Sequence, residues 1–388
     1  MRALLSLALS AALLGAAPAE PGRAIAVIPF DLVGGHIFVD ARIDGGPPLR
    51  MAIDTGSGNV LATDTAAALH IQRGAEFDLH GTGEQTVEAS AARVDAIELG
   101  SVTLRDQHLT LLPFGDLRAA EGVARFDGLI GHELFDRFDV RIDYALRVMT
   151  LYEPGTAPRD PSGVAGPIAF EGTMPDVRGD VDGIPGTFTI DTGDRGSFSL
   201  TVPFVEAHDL VARYRPRVEG IAGWGIGGPV RAKLTRVGDL RFGGIDVANP
   251  VTRLPDAQHG FFTSRSIAGN IGYGVLHRFT LTFDYRDREL FLTPNAAVGD
   301  DVYDRSGMWL LDAAGGFRVA DVFAGSPAER AGVRVGDLIE SVDGREATDV
   351  GLVAARDTLR AAPGTAVSVR LVRGADTLDV TLRLADVV

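Results

Sequence analysis

The sequence contains no cysteine among its 388 residues. Disulfides, thiolate metal sites and lipid attachment to an N-terminal cysteine are thereby excluded. Basic residues are outnumbered, 37 Lys and Arg against 52 Asp and Glu, for a formal net charge of -15. That balance argues against nucleic acid or an anionic membrane surface as a partner, since both attract basic patches. With no cysteine and scattered histidines, no metal site is supported and no cofactor is expected. His132-Glu133 has Asp136 where a zinc protease needs its second histidine. Gly196-Ser197 lacks the Gly-x-Ser-x-Gly frame, and Asp180 with Asp182 lacks the other ligands of a calcium loop. Beyond the N-terminus no apolar run approaches the length of a membrane span.

Aromatic residues are scarce at 7%, whereas glycine is plentiful at 48 residues. Glycines spread between short apolar runs favour turn-rich β structure over long helices. Hydrophobic residues at 45% and charged residues at 23% fit a globular protein with real cores. The length predicts two or three domains. The N-terminus reads as a secretory signal over residues 1–19. Arg2 is followed by an apolar run from Ala3 to Ala16 and a small-residue cleavage site at Ala17-Pro18-Ala19. A retained N-terminal anchor is the alternative. Removal of the signal leaves no stable membrane span, and an exported chain without cysteine is expected in a bacterial periplasm.

One short motif occurs twice. Asp54-Thr55-Gly56 follows the apolar run Met51-Ala52-Ile53, and Asp191-Thr192-Gly193 follows Phe188-Thr189-Ile190. A single copy suits an ordinary turn, because Asp and Gly crowd into turns. Two copies in matching contexts point to a carboxylate pair assembled from two related halves. The ends of the halves match as well. Residues 127–153 align without gaps on 268–294, with identities at Gly128/Gly269, Ile130/Ile271, Gly131/Gly272, Arg137/Arg278, Phe138/Phe279, Asp143/Asp284, Tyr144/Tyr285, Arg147/Arg288 and Leu151/Leu292. Each half also predicts a glycine-bearing hairpin, with Gly81-Thr82-Gly83 at one tip and Gly223-Trp224-Gly225 at the other. A Pro- and Gly-rich linker at 153–163 separates the halves.

Two carboxylates a few ångströms apart can activate a water and protonate a departing group, because like charges that close share one proton. A glycine after Asp-Thr permits close backbone approach, and a Thr hydroxyl both donates and accepts, so it can lock one loop to the other. Ser57 is placed to hydrogen-bond an ionised carboxylate. Asp194 stands at the matching place in the second copy, where a third carboxylate would raise the pair's pKa values unless Arg195 neutralises it.

On these residues the two halves resemble retropepsin-like aspartic proteases, whose lobes each supply an apolar-apolar-Asp-Thr-Gly turn and a later apolar-apolar-Gly segment. Leu129-Ile130-Gly131 fits the later segment, and Asn270-Ile271-Gly272 departs from it at Asn270. The resemblance implies a mainly β fold of two pseudo-symmetric β-barrel lobes at 24–155 and 165–296. It implies Asp54 and Asp191 as the catalytic dyad, Thr55 and Thr192 as braces, and Gly56 and Gly193 as amide donors. The hairpins at Gly81, Thr82 and Gly83 and at Gly223, Trp224 and Gly225 would be flaps over the substrate.

Residues 304–388 form a third, small α+β unit. Gly325-Ser326-Pro327-Ala328, Ala331-Gly332 and Gly336-Asp337-Leu338-Ile339 resemble a PDZ domain of the bacterial exported type. By that resemblance Gly307, Met308, Trp309 and Leu310 would hold a peptide C-terminus and add an extended peptide as a strand, although Trp309 departs from the usual glycine. The expectation is a monomeric endopeptidase acting on polypeptides, with a C-terminal or internal peptide as PDZ ligand. The competing expectation, motivated by Asp194 and Asn270, is a non-catalytic peptide-binding adaptor on the same fold.

Overall fold

The computed structural model describes residues 22–296 and 299–388. The expected signal segment therefore lies outside the described residues. The chain is mainly β. Among the described residues the strands form sheets of 15, 8 and 6 strands.

The apolar run before each Asp-Thr-Gly becomes a strand buried on both faces, which suits its near-continuous hydrophobicity. Leu49–Ile53 pairs in parallel with Gly128–Ile130, with Ile53 opposite Ile130. Ile184–Ile190 pairs in parallel with Gly269–Ile271, with Ile190 opposite Ile271. The same register thus brings each Asp-Thr-Gly turn to the end of the matching Gly-containing segment. Asp54 N–H donates to Ile130 O at 3.0 Å, and Asp191 N–H donates to Ile271 O at 3.0 Å.

The repeated segments also meet each other. Asp139–Asp143 runs antiparallel to Phe279–Asp284, with Val140 opposite Phe283. Outward from this seam lie Val148–Tyr152 and Ala26–Pro29 on one side, and Glu289–Pro294 and Val164–Glu171 on the other. Strands of both halves therefore share one sheet, and one apolar core runs through both, joining Ile53, Ile130 and Phe135 to Ile190, Ile271 and Phe283.

Both predicted hairpins form. Glu76–His80 pairs with Thr86–Leu99, and Val218–Gly225 pairs with Gly228–Arg236. Strand Thr86–Leu99 is one continuous arm that pairs first with Glu76–His80 and then with Val102–Leu112. A short helix spans Thr63–Ala68 with Ala62 at its cap position. Thr63 is its first residue, because strand Val60–Ala62 feeds it directly.

The C-terminal unit has its own core, including Leu310, Phe317, Ile339, Leu352, Ala355 and Leu359. Its sheet runs Met308–Ala313, Gly316–Val322, Leu338–Val342, Ala366–Arg373, Asp376–Arg383, so Met308–Ala313 is an edge strand. Ser326 caps the helix Pro327–Arg330 by accepting Glu329 N–H at 3.2 Å. Asp343 and Gly344, at φ 49° and 73°, make the tight turn that an Asp-Gly pair favours.

Candidate active site

The two Asp-Thr-Gly turns lie back to back and are tied by a reciprocal set of bonds. Thr55 N–H donates to Thr192 Oγ1 and Thr192 N–H donates to Thr55 Oγ1, both at 3.0 Å. The hydroxyls donate onward, Thr55 Oγ1 to Ile190 O at 2.7 Å and Thr192 Oγ1 to Ile53 O at 3.0 Å. Both threonines are fully buried, and the amide and hydroxyl of each find their partners inside the protein.

The knot sets the carboxylates against each other. Gly56 N–H donates to Asp54 Oδ1 and Gly193 N–H donates to Asp191 Oδ1, each at 2.8 Å. Each glycine also faces the opposite acid. A Cβ on Gly56 would lie 2.9 Å from Asp191 Cγ, and one on Gly193 would collide with the Asp54 carboxylate. Only glycine allows this approach. Each carboxyl thus faces the other turn, and both hold protons more tightly than an ordinary Asp. Burial is the largest cause for each. For Asp54 it is partly offset by Gly56 N–H, the neighbouring Ser57, Asp191 and the His36 charge, although the Ser57 hydroxyl expected on a carboxylate donates to Gly58 O at 2.9 Å. For Asp191 the negative charges of Asp54 and Asp194 add to burial, while Asn270 and Gly193 N–H work against them. The pair is therefore held as two acids that share a proton, with both affinities raised.

Asp194 and Asn270 depart from the first half's motif, and they belong together. Asn270 Nδ2 donates to Asp191 Oδ2 and to Asp194 Oδ2, each at 3.0 Å. The counter-charge expected from Arg195 comes instead from Arg253, whose guanidinium pairs with Asp194 while its Nε donates to Ser199 Oγ at 2.7 Å. Arg195 leaves the loop in the other direction, to Glu121 at 3.3 Å and the Trp309 ring at 4.9 Å. Sheet register explains the arrangement. Asp176, Thr189, Asn270, Ser199 and Arg253 occupy one cross-strand row. The corresponding row of the first half is Phe38, Ala52, Leu129, Val60 and Thr110. An almost wholly apolar row under Asp54 is matched by a polar, hydrogen-bonded row under Asp191.

The dyad opens on a cleft of about 550 Å³. Gly81, Thr82, Gly223, Trp224 and Gly225 line it, while Gly83 bonds across to the other hairpin. Gly83 N–H donates to Ile226 O and Gln85 N–H donates to Gly227 O, each at 2.9 Å, so the hairpins meet tip to tip over the cleft. The wall on the Asp54 side is apolar, with Leu112, Leu117, Phe126 and Leu129.

A buried ionic cluster lies beside the dyad. Glu121 ends helix Gly115–Glu121 and meets His36 Nε2 at 3.1 Å as well as Arg195. Burial opposes the Glu121 charge, but Arg195, His36 and Arg356 outweigh it and hold the carboxyl down at about 2. A depressed pKa stabilises the fold above the ordinary carboxylate range and loses that contribution as pH falls toward the depressed value. Glu121 therefore stays ionised through mildly acidic conditions. All four residues expected at the peptide site of the C-terminal unit, Gly307, Met308, Trp309 and Leu310, are buried. Gly307 N–H donates to Asp304 Oδ1 at 2.8 Å, and Met308 N–H donates to Ser306 Oγ at 3.2 Å.

The sequence motifs did not point to Arg253, Glu121, His36 or Arg356. Arg253 carried a readable signal, because Thr189, Ser199, Asn270 and Arg253 are all polar in strands of a half whose counterpart is largely apolar.

Comparison with known families finds an aspartyl protease match over residues 39–134 and a PDZ domain match over residues 318–373. The first match spans Asp54 and the Leu129-Ile130-Gly131 segment, and Asp191 lies beyond it. The chain thus carries an aspartyl protease domain and a C-terminal PDZ domain. No curated protein matches it.

Proposed function

We propose that this chain is an aspartic-type endopeptidase whose dyad, Asp54 and Asp191, hydrolyses peptide bonds with an activated water and no covalent intermediate. The observation that carries the reading is the reciprocal packing of the two turns, with Gly56 against Asp191 and Gly193 against Asp54. In the working state Asp191 holds the proton and Asp54 is ionised. Asp54 takes a proton from the water as its oxygen bonds to the scissile carbonyl carbon, and Asp191 donates to the carbonyl oxygen. The resulting diol collapses as the proton on Asp54 passes to the departing nitrogen and a diol hydroxyl returns its proton to Asp191. The C–N bond breaks and the pair is restored.

The adaptor expectation drew on Asp194 and Asn270. Asn270 supplies Asp191 with a donor, and Arg253 balances Asp194, so neither residue favours an inactive cleft. A periplasmic site of action is inferred from the signal-like residues 1–19 alone.

The test is cleavage of an unfolded polypeptide by the purified protein across pH. Activity needs one proton on the pair. Because both acids are shifted upward, the expected profile is a bell whose limbs lie above the ordinary carboxylate range. No cleavage at any pH would contradict the proposal.

A further inference from the structure

The PDZ domain is engaged by the protease body on two sides. Its peptide groove lies between the edge strand Met308–Ala313 and the helix Leu352–Leu359. The C-terminal end of helix Gly115–Glu121 sits at this groove. Gly122 ends that helix at φ 67°, and a Cβ there would lie 2.6 Å from Leu352 Cβ. Arg356 Nη2 donates both to Ala120 O at 2.6 Å and to Leu310 O at 2.9 Å, so one half-buried side chain ties helix end, groove helix and edge strand together. Trp309 packs against Ala120 and Ile221, with Arg195 and Arg356 at 4.9 and 5.5 Å from its ring. The Gly307 and Met308 amides are already taken by Asp304 and Ser306.

The second side grips a flap. Asp321 Oδ2 accepts Ile221 N–H at 2.7 Å and pairs with Arg231 at 3.0 Å. Ile221 lies where the register of the second flap hairpin shifts, between Ile221 and Gly223. A ladder is weakest at such a shift, and an outside carboxylate there fixes the hairpin's direction. Phe323 packs beside it on Val218, Ala222 and Leu234.

We propose that the PDZ groove is an intramolecular docking site whose occupant is the C-terminal end of helix Gly115–Glu121, and that the docked domain sets the second flap through Asp321. Asp321 is then a positioning residue for substrate, 

acting through Ile221 rather than touching the cleft. The flap part rests on the protease reading, whereas the docking part does not.

Two measurements separate these parts. In a Trp224→Phe background Trp309 is the remaining tryptophan, so acrylamide quenching reports docking without any substrate. Trp309 is expected to be shielded in the full chain and quenched about threefold faster or more once Arg356→Ala removes the tie. A fluorescent peptide pool with free C-termini is expected to bind the Arg356→Ala chain at least about tenfold more tightly than the parent. Fast quenching in the parent, or tight peptide binding to it with Trp309 still shielded, overturns the docking. For the flap, Asp321→Ala is expected to raise KM about tenfold with kcat changed less than about threefold, and Asp321→Asn, which keeps an acceptor for Ile221 N–H, to recover most of the loss. An unchanged KM, or a fall in kcat alone, overturns the positioning role. Shielded Trp309 in a chain that cleaves nothing supports the docking and counts against the protease reading alone.

Discussion

Asp54→Asn and Asp191→Asn each reduce cleavage of an unfolded polypeptide by about 10³-fold or more, because either change removes a group that must both take and give a proton. The stability of the same variants moves the other way. Both acids have folded-state pKa values raised above those of the unfolded chain. Such groups favour the fold below the unfolded value, and that contribution is lost as pH rises through the raised one. Asparagine carries no charge to bury. Asp191→Asn is therefore expected to be more stable than the parent at pH 7 and no more stable at pH 3, measured by denaturant unfolding. Loss of activity together with a gain of stability at neutral pH identifies a working acid rather than a damaged fold. Full activity in either variant contradicts the dyad assignment.

Arg253→Met destabilises the protein by about 3 kcal/mol, because it strands the Asp194 charge beside Asp191 with its partner removed. Both side chains of this pair are largely buried, at 8% and 12% exposure, so water replaces little of the lost interaction. The catalytic consequence has a fixed sign. The Asp194 charge already pushes Asp191 upward, and without Arg253 that push strengthens. Both limbs of the pH profile then move to higher pH. Asp194→Asn removes the same push and moves them to lower pH. Combining the two changes restores most of the stability, with a coupling of about 2 kcal/mol between the sites. Additive effects, or profiles that do not move, would remove Arg253 and Asp194 from the account of the dyad.

The features legible in the sequence depend on local chemistry. The Asp-Thr-Gly turns, the glycine-tipped hairpins, the Ser326 cap and the Asp343-Gly344 turn each follow from what a few neighbouring residues can do. The 127–153 and 268–294 repeat was legible because the same strand pairings recur in both halves. What stayed hidden depends on register and on distant contacts. Arg195 is next to Asp194 in sequence but points elsewhere, whereas Arg253 reaches it from across the sheet. Asn270 reads as a flaw in an apolar segment until Thr189 and Ser199 are placed on either side of it. The tie from Arg356 to Ala120 joins residues 236 apart, and no local pattern announces it.

Single-turnover cleavage in ¹⁸O-labelled water tests the central claim most directly. A water activated between Asp54 and Asp191 puts one labelled oxygen into the new C-terminal carboxyl in the first turnover, with none passing through an enzyme carboxylate. Unlabelled product from that first turnover, with the label appearing on Asp54 or Asp191 as a covalent intermediate is hydrolysed, would contradict it.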